Sequence, residues 1–139
     1  MKLFMKLFIF LLILFVFSNA YGEVVLVVSK NSKLNEVNSV ELKRFFAGKT
    51  KSLAGEKVIM ILQHKDSQSH KNFLKKYLGK STQQFSKTWK KLVFTGRAKS
   101  PRTVNSDEEV IKLVSENSIY ISYIDESQLT DSMKKIKIK

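Results

Sequence analysis

The sequence predicts a single α/β domain, with a mostly parallel sheet of about four strands flanked by about four helices. Three observations predict this class. Apolar β-branched runs and amphipathic segments follow one another in the order β-α-β-α-α-α-β-β. The 139 residues are enough for one core and contain neither an internal repeat nor a linker. The chain has no cysteine, so a disulfide scaffold is excluded and the core must be held by packing alone.

The first half of the domain is predicted to be strand, helix, strand. Glu23 to Ser29 is a continuous β-branched run, as expected of a strand buried on both faces. Asn38 with Glu41 three residues later predicts a capping box at the start of a helix, and Gly48 a left-handed stop at its end. Lys57 to Leu62 is then a second apolar strand.

Two helices follow that strand. The apolar positions between Phe73 and Leu78 predict one face of a helix that ends at Gly79. Ser81 with Gln84 forms a second capping-box pattern. The segment Thr95 to Thr103 contains the single proline and is predicted to be the longest loop.

The last part of the chain returns to the sheet. Ser106 with Glu109 predicts the cap of a fourth helix. Ile119 to Ile124 reads as a third strand, and Met133 to Ile138 alternates as an edge strand does.

The amino end has the pattern of a secretory signal peptide, predicted to be residues 1–20. Lys2 and Lys6 form a short basic region, and Leu7 to Phe17 is an unbroken apolar run. This run is too short to span a bilayer as a helix, which favours a signal that is cleaved. The alternative is an uncleaved amino-terminal anchor.

Signal cleavage is predicted after Ala20, with a second acceptable position after Gly22. The remaining domain, residues 21–139, is expected to be exported to the periplasm or outside the cell. No later run approaches the length of a membrane span, so none is expected after cleavage.

The positive charge of the domain is concentrated in one block. Twelve lysines and arginines but one carboxylate, Asp66, lie between Lys57 and Arg102. Such a block attracts anions through its summed field, or it is simply the solvated face of helices. Export, the excess of Lys over Arg and the lack of a binding motif argue against nucleic acid as a partner.

No pattern in the chain indicates catalysis. His64 and His70 are six positions apart, whereas two metal ligands on one helical face would be three or four apart. They are therefore expected to be a surface pair. No serine lies in a nucleophile elbow and no carboxylate pair stands out, so the sequence predicts neither enzyme, metal nor cofactor.

One polar segment, Gln63 to Phe73, has the pattern of an anion site. A buried strand leads into a polar turn and then a helix, so backbone N–H groups and the helix dipole converge there. Ser67 and Ser69 add hydroxyl donors, while Lys65 and Lys71 add positive charge. The alternative is an ordinary helix cap in which the turn satisfies only the helix's own N–H groups.

Four segments of the chain together resemble the phosphate-binding-protein-like domain, and more closely the small single-domain phosphate ABC transporter substrate-binding proteins. The segments are Val27–Ser32, Leu42–Ser52, Trp89–Pro101 and Glu108–Asp125. The resemblance covers roughly residues 23–138 and implies a single periplasmic-binding-protein-like lobe.

The resemblance also implies a ligand site. Full-length members carry an Arg-x-x-x-Ser-Gly-Thr phosphate loop, followed by a Phe that matches Phe73. On that alignment Ser67 and Ser69 keep the two hydroxyls, whereas Gln68 replaces the Gly and Gln63 replaces the Arg. A neutral Gln cannot supply the bidentate charged fork of an Arg.

The implied function is an exported solute-binding-type protein, not an enzyme, that binds phosphate or a similar oxyanion in association with ABC-type uptake. Full-length members bind phosphate between two lobes, so a single lobe is expected to bind it weakly.

Further candidates for the same cleft are Ser29, Asn31 and Ser32, at the end of the first strand. Partners would be an ABC transporter permease or another envelope protein. The alternative is a non-catalytic envelope protein whose basic face docks an anionic polymer or a protein.

Overall fold

The structure, a computed structural model, describes residues 1–6 and 22–139. Residues 2–6 are helical. The apolar run of the predicted signal peptide and the cleavage position at Ala20 lie outside the described residues. Within the described part, no helix combines the length and apolarity needed to cross a membrane.

The domain is built on a five-stranded sheet with helices on both faces. In chain order, the strands are β1 (Val24–Ser29), β2 (Glu36–Val37), β3 (Ser52–Leu53), β4 (Glu56–Lys57), β5 (Ile59–Gln63), β6 (Arg102–Val104), β7 (Tyr120–Asp125), β8 (Met133–Lys135) and β9 (Lys137–Ile138). The helices are α1 (Ser39–Phe46), α2 (Gln68–Phe73), α3 (Thr82–Phe94) and α4 (Asp107–Glu116). A π-helical turn, Leu74–Leu78, continues α2, and a 3₁₀ turn, Glu126–Gln128, follows β7.

The predicted α/β lobe is confirmed, but its sheet is mixed rather than mostly parallel. The strand order is β6-β5-β7-β1-β8, and β2–β9 and β3–β4 form two further small sheets. Strand β5 runs parallel to β6 and β7, whereas β1 runs antiparallel to β7 and β8. The predicted edge strand at the end of the chain is two strands, because the chain leaves β1 after β8 and pairs with β2.

Strand β1 is buried along its whole length, as predicted for a central strand. Its residues alternate between two cores. Leu26 and Val28 face the core that contains α1 and α2, while Val25 and Val27 face the core that contains α4. The sheet is therefore covered on both faces.

The helix ends follow their predicted caps. Asn38, Ser81 and Ser106 each accept a hydrogen bond from the first turn of α1, α3 and α4, and Gly48 and Gly79 adopt left-handed backbone.

Only the box at Ser81 is reciprocal. The predicted partner Glu41 accepts instead from Ala54 N–H, and Glu109 accepts from Asn105 N–H. The two glutamates anchor neighbouring loops because those N–H groups lie within reach in the folded chain.

Candidate functional site

The candidate site lies where the parallel strands β5, β6 and β7 end at one edge of the sheet. Their last residues are Gln63, Val104 and Asp125. Ligands of open α/β sheets bind beyond this edge. The turn after β5 leads directly into α2, so the predicted segment lies there.

Gln63, which the sequence resemblance aligns with an arginine of full-length members, is buried and hydrogen-bonded at both ends of its amide. Its Nε2 donates to Asp107 Oδ1 at 2.6 Å and to the carbonyl of Tyr123 at 2.9 Å. Its Oε1 accepts from the hydroxyl of Ser67 at 2.6 Å. Gln63 therefore links the turn after β5 to β7 and to the start of α4, and its amide does not reach into solvent.

Both predicted serines are present, and their hydroxyls are engaged within the chain. Ser67 accepts from the N–H of His70 and so caps α2, as the ordinary-cap interpretation has it. Ser69 donates to Asp107 Oδ1 at 3.0 Å. The donors therefore do converge, but on a carboxylate of this same chain.

Asp107 is the site residue that sequence reasoning missed. It is the first residue of α4, and its Oδ1 accepts from both Gln63 and Ser69. Its Oδ2 accepts from the N–H of Asp125 at 3.4 Å. The sequence shows Asp107 only as an acidic residue suited to a helix amino terminus. Its partners Gln63 and Ser69 lie about forty positions away along the chain, so no local pattern connects them with it.

A cavity of about 290 Å³ lies against this cluster. Gln68, Ser69 and Asn72 line one part of it, and the carboxylates of Asp107 and Asp125 line another. Among the described residues none of its lining side chains is cationic. An anion entering it therefore meets negative charge.

The two lysines predicted to support the site lie elsewhere. Lys65 lines a separate groove beside α3, and Lys71 lines a concavity with Lys75 and Lys80. Their side chains follow the turn outward to solvent, where both are exposed. They contribute to the field around the domain rather than to the cavity.

Ser29, Asn31 and Ser32 do not share this cleft, contrary to expectation. Because β1 runs antiparallel to β7, its first residue Val24 pairs with Asp125 at the site edge. The end of β1 is therefore at the opposite edge, where the hydroxyl of Ser29 accepts from Asn31 N–H. The expectation was wrong because it assumed that β1 was parallel to its neighbours.

His70 is buried, so the predicted surface pair of histidines is also wrong. It is 4% exposed, whereas His64 is exposed. The N–H of Gln63 donates to Tyr123 Oη at 2.9 Å, and Tyr123 Oη lies 2.5 Å from His70 Nδ1. Burial lowers the pKa of His70 to about 4 and raises the pKa of Tyr123. Both groups are therefore neutral near pH 7.

The neutral states of His70 and Tyr123 agree with the direction of the hydrogen bonds that join Gln63, Tyr123 and His70. Since the hydroxyl of Tyr123 accepts from Gln63, its own proton is directed at His70 Nδ1. A proton on His70 Nδ1 would point at the proton of the Tyr123 hydroxyl, so this nitrogen is the acceptor.

Within residues 1–6 and 22–139 no cluster of His, Asp and Glu forms a metal site.

The fold has known counterparts among solved structures. A putative phosphate ABC transporter substrate-binding protein from Clostridium perfringens, solved with bound phosphate, superposes with a TM-score of 0.65 at 17% identity over 86% of this chain. PstS from Borrelia burgdorferi superposes with a TM-score of 0.59 at 18% identity, also over 86%. An ABC-type phosphate transport receptor from Vibrio cholerae gives 0.53 at 16% identity over 84%.

The chain spans slightly less than half the length of these proteins, from 46% to 48%. No protein-family model matches the sequence, and no curated protein matches it. At these identities the likeness is one of fold. The resemblance seen in the sequence is thus confirmed as a shared fold, that of one periplasmic-binding-protein-like lobe. The Clostridium protein is named as a substrate-binding protein and the Vibrio protein as a transport receptor.

Proposed function

We propose that this lobe is an exported, non-enzymatic solute-binding protein that binds phosphate or a similar oxyanion weakly and works with ABC-type uptake. The site is the turn between β5 and α2, with Ser67 and Ser69 as donors. The fold of phosphate receptors supports the class of ligand. The mode of binding is argued from the site itself.

The observation that carries the proposal is the set of donors around Asp107. A side-chain amide from Gln63 and a hydroxyl from Ser69 meet at one negatively charged oxygen. Donors arranged in this way suit an oxyanion oxygen equally well, since a carboxylate and a phosphate present similar acceptors.

The same arrangement makes binding weak. Phosphate must displace the carboxylate of Asp107 from its donors or approach with that charge, and that of Asp125, still in place. We expect the dissociation constant of the protein for phosphate to be no tighter than ~0.1–1 mM. A micromolar value from calorimetry would contradict the proposal.

Neutralising the internal carboxylate should strengthen phosphate binding. In Asp107→Asn the amide oxygen still accepts from Gln63 and Ser69, but the negative charge beside the cavity is gone. We expect affinity for phosphate to rise at least about tenfold. The measurement is a thermal-shift titration with phosphate, with sulfate and chloride at equal ionic strength as references.

A matched control separates a local effect from a general loss of charge. Glu109→Gln makes the same charge change in the first turn of α4, but Glu109 bonds to Asn105 and does not line the cavity. It should leave phosphate affinity unchanged. Equal responses of the two variants, or an Asp107→Asn protein that responds alike to all three salts, would remove this site from the proposal.

Export has its own test. When the chain is expressed in a bacterium, the mature protein should begin at Tyr21 or Glu23, after cleavage at Ala20 or Gly22. The intact mass of the protein in the secreted or periplasmic fraction shows at which residue the mature chain begins. An amino terminus at Met1 in the membrane fraction would show an uncleaved anchor instead.

One observation favours the alternative, a basic face that docks an anionic polymer or protein. All twelve basic side chains from Lys57 to Arg102 are exposed. Among the described residues only one of them, Lys76, is in an ion pair, with Glu23. Competition distinguishes the two functions, because millimolar phosphate should release a small oxyanion, whereas a docked polymer should require high general ionic strength.

A further inference from the structure

A second and larger concavity lies beside α3, away from the cavity at Asp107. We refer to it as the α3 groove. It has a volume of about 920 Å³. One wall is a face of α3, and the other is formed by Leu62–Lys65, where β5 ends and the following turn begins, and by Ser100, Pro101 and Thr103.

The helix wall is an apolar stripe that the rest of the chain covers only in part. Phe85, Trp89 and Val93 follow one another at four-residue spacing. Phe94, the last residue of α3, also lines the groove. Of the thirteen residues of α3, only Phe85 is buried. Val93 is exposed, and Phe94 is 93% exposed. These apolar side chains line one groove together, and a contiguous exposed apolar surface of this kind marks a binding site.

Trp89 presents an apolar face to the groove. Its indole N–H donates to the carbonyl of Phe46 at 2.9 Å, so its polar atom is satisfied on the core side. His70, at the inner end of the groove, is neutral near pH 7 because burial lowers its pKa to about 4. The inner surface therefore suits an uncharged, apolar group.

The charge around the groove has one sign. Lys65, Lys90 and Lys91 line it, and no carboxylate is among its described lining residues. A ligand with an apolar body and an anionic end would satisfy both the stripe and the lysines. The volume falls within the range of about 300–1,000 Å³ typical of clefts that bind one small ligand, so we argue for a small molecule as the occupant.

We propose that the α3 groove binds an anionic single-chain amphiphile, such as a long-chain carboxylate or an alkyl phosphate. The acyl chain lies along Phe85, Trp89 and Phe94, and the head group pairs with the lysines of the rim. The groove is a separate cavity from the one at Asp107, because neither Ser69 nor Asp107 lines it. Gln63 is the point where the two sites adjoin, since it lines the groove and donates to Asp107.

The chain supplies its own reporter, since Trp89 is the single tryptophan in the sequence. Titration of the full protein with dodecanoate, below its micelle concentration, should give a saturable change in tryptophan emission. Dodecyltrimethylammonium, with the same chain and opposite charge, should bind at least about tenfold more weakly. Inorganic phosphate alone should leave the emission unchanged.

Two matched pairs of variants locate the site. Phe94→Gln should weaken dodecanoate binding at least about tenfold, while Val40→Gln, an exposed apolar residue of α1, should not. Lys90→Gln should weaken binding, whereas Lys87→Gln, on the same helix but outside the groove, should not.

Four results would overturn the proposal. They are equal effects within either pair, equal binding of the cationic amphiphile, an emission change with phosphate alone, and a response restricted to phospholipid vesicles. The last would indicate a membrane-binding surface instead.

Discussion

Replacing Phe73 with alanine is expected to lower the free energy of unfolding by about 3–5 kcal/mol, because it opens a cavity among the aromatic rings of the core. Phe73 is fully buried, and its ring stacks on that of Tyr123 with centroids 4.0 Å apart and planes 5° apart. It also meets the ring of Phe46 edge-on at 4.8 Å. Its removal therefore affects α2, β7 and α1 together.

Chemical denaturation measures this loss as a lower midpoint at an unchanged slope. Phe73→Leu keeps most of the volume and should cost less than about 1.5 kcal/mol, so it remains measurable if the alanine variant fails to fold. The exposed Phe94→Gln serves as the reference and should stay within about 0.5 kcal/mol of wild type. A loss below about 1 kcal/mol for Phe73→Ala would contradict this packing.

The second large effect is a loss of stability in mild acid through His70. Its pKa is about 4 in the folded protein, chiefly because of burial, against an ordinary value of 6.5. The unfolded chain therefore binds a proton first as the pH falls. The contribution of the neutral histidine is complete above pH 6.5 and is lost progressively toward pH 4, by about 2–3 kcal/mol.

Denaturation midpoints measured between pH 7 and pH 4 test this. In His70→Gln the amide oxygen can accept from Tyr123, but the side chain does not titrate, so the fall across this window should be smaller by that amount. His64→Gln removes the exposed histidine and should retain the wild-type fall. Parallel curves for wild type and His70→Gln would show that His70 is not the group responsible.

Much of the local structure could be predicted because it depends on neighbours in sequence. The caps at Asn38, Ser81 and Ser106 need only a hydroxyl or amide two or three positions from an N–H group. The stop at Gly79 requires a left-handed backbone that glycine adopts without strain. These features are determined within one turn of the chain.

The candidate site could be predicted only in part, because some of its residues are neighbours in space but far apart in sequence. Ser67 and Ser69 belong to one turn, and the sequence shows them together. Asp107 reaches that turn only because α4 begins beside it at the edge of the sheet. No signal in the first turn of α4 distinguishes this carboxylate from an ordinary helix-terminal acid.

The sequence by itself determined the class of the domain, the positions of most helices and strands, the burial of β1 and the concentration of basic charge after Lys57. These depend on local hydrogen bonding, on hydrophobic periodicity and on composition. Only the tertiary structure decided the antiparallel direction of β1, which moves Ser29 to the far edge, the burial of His70 against Tyr123, and the carboxylate that takes up the donors of Ser69 and Gln63. Each of these is a contact between residues far apart in sequence, and its partner is chosen by the order of strands in the sheet.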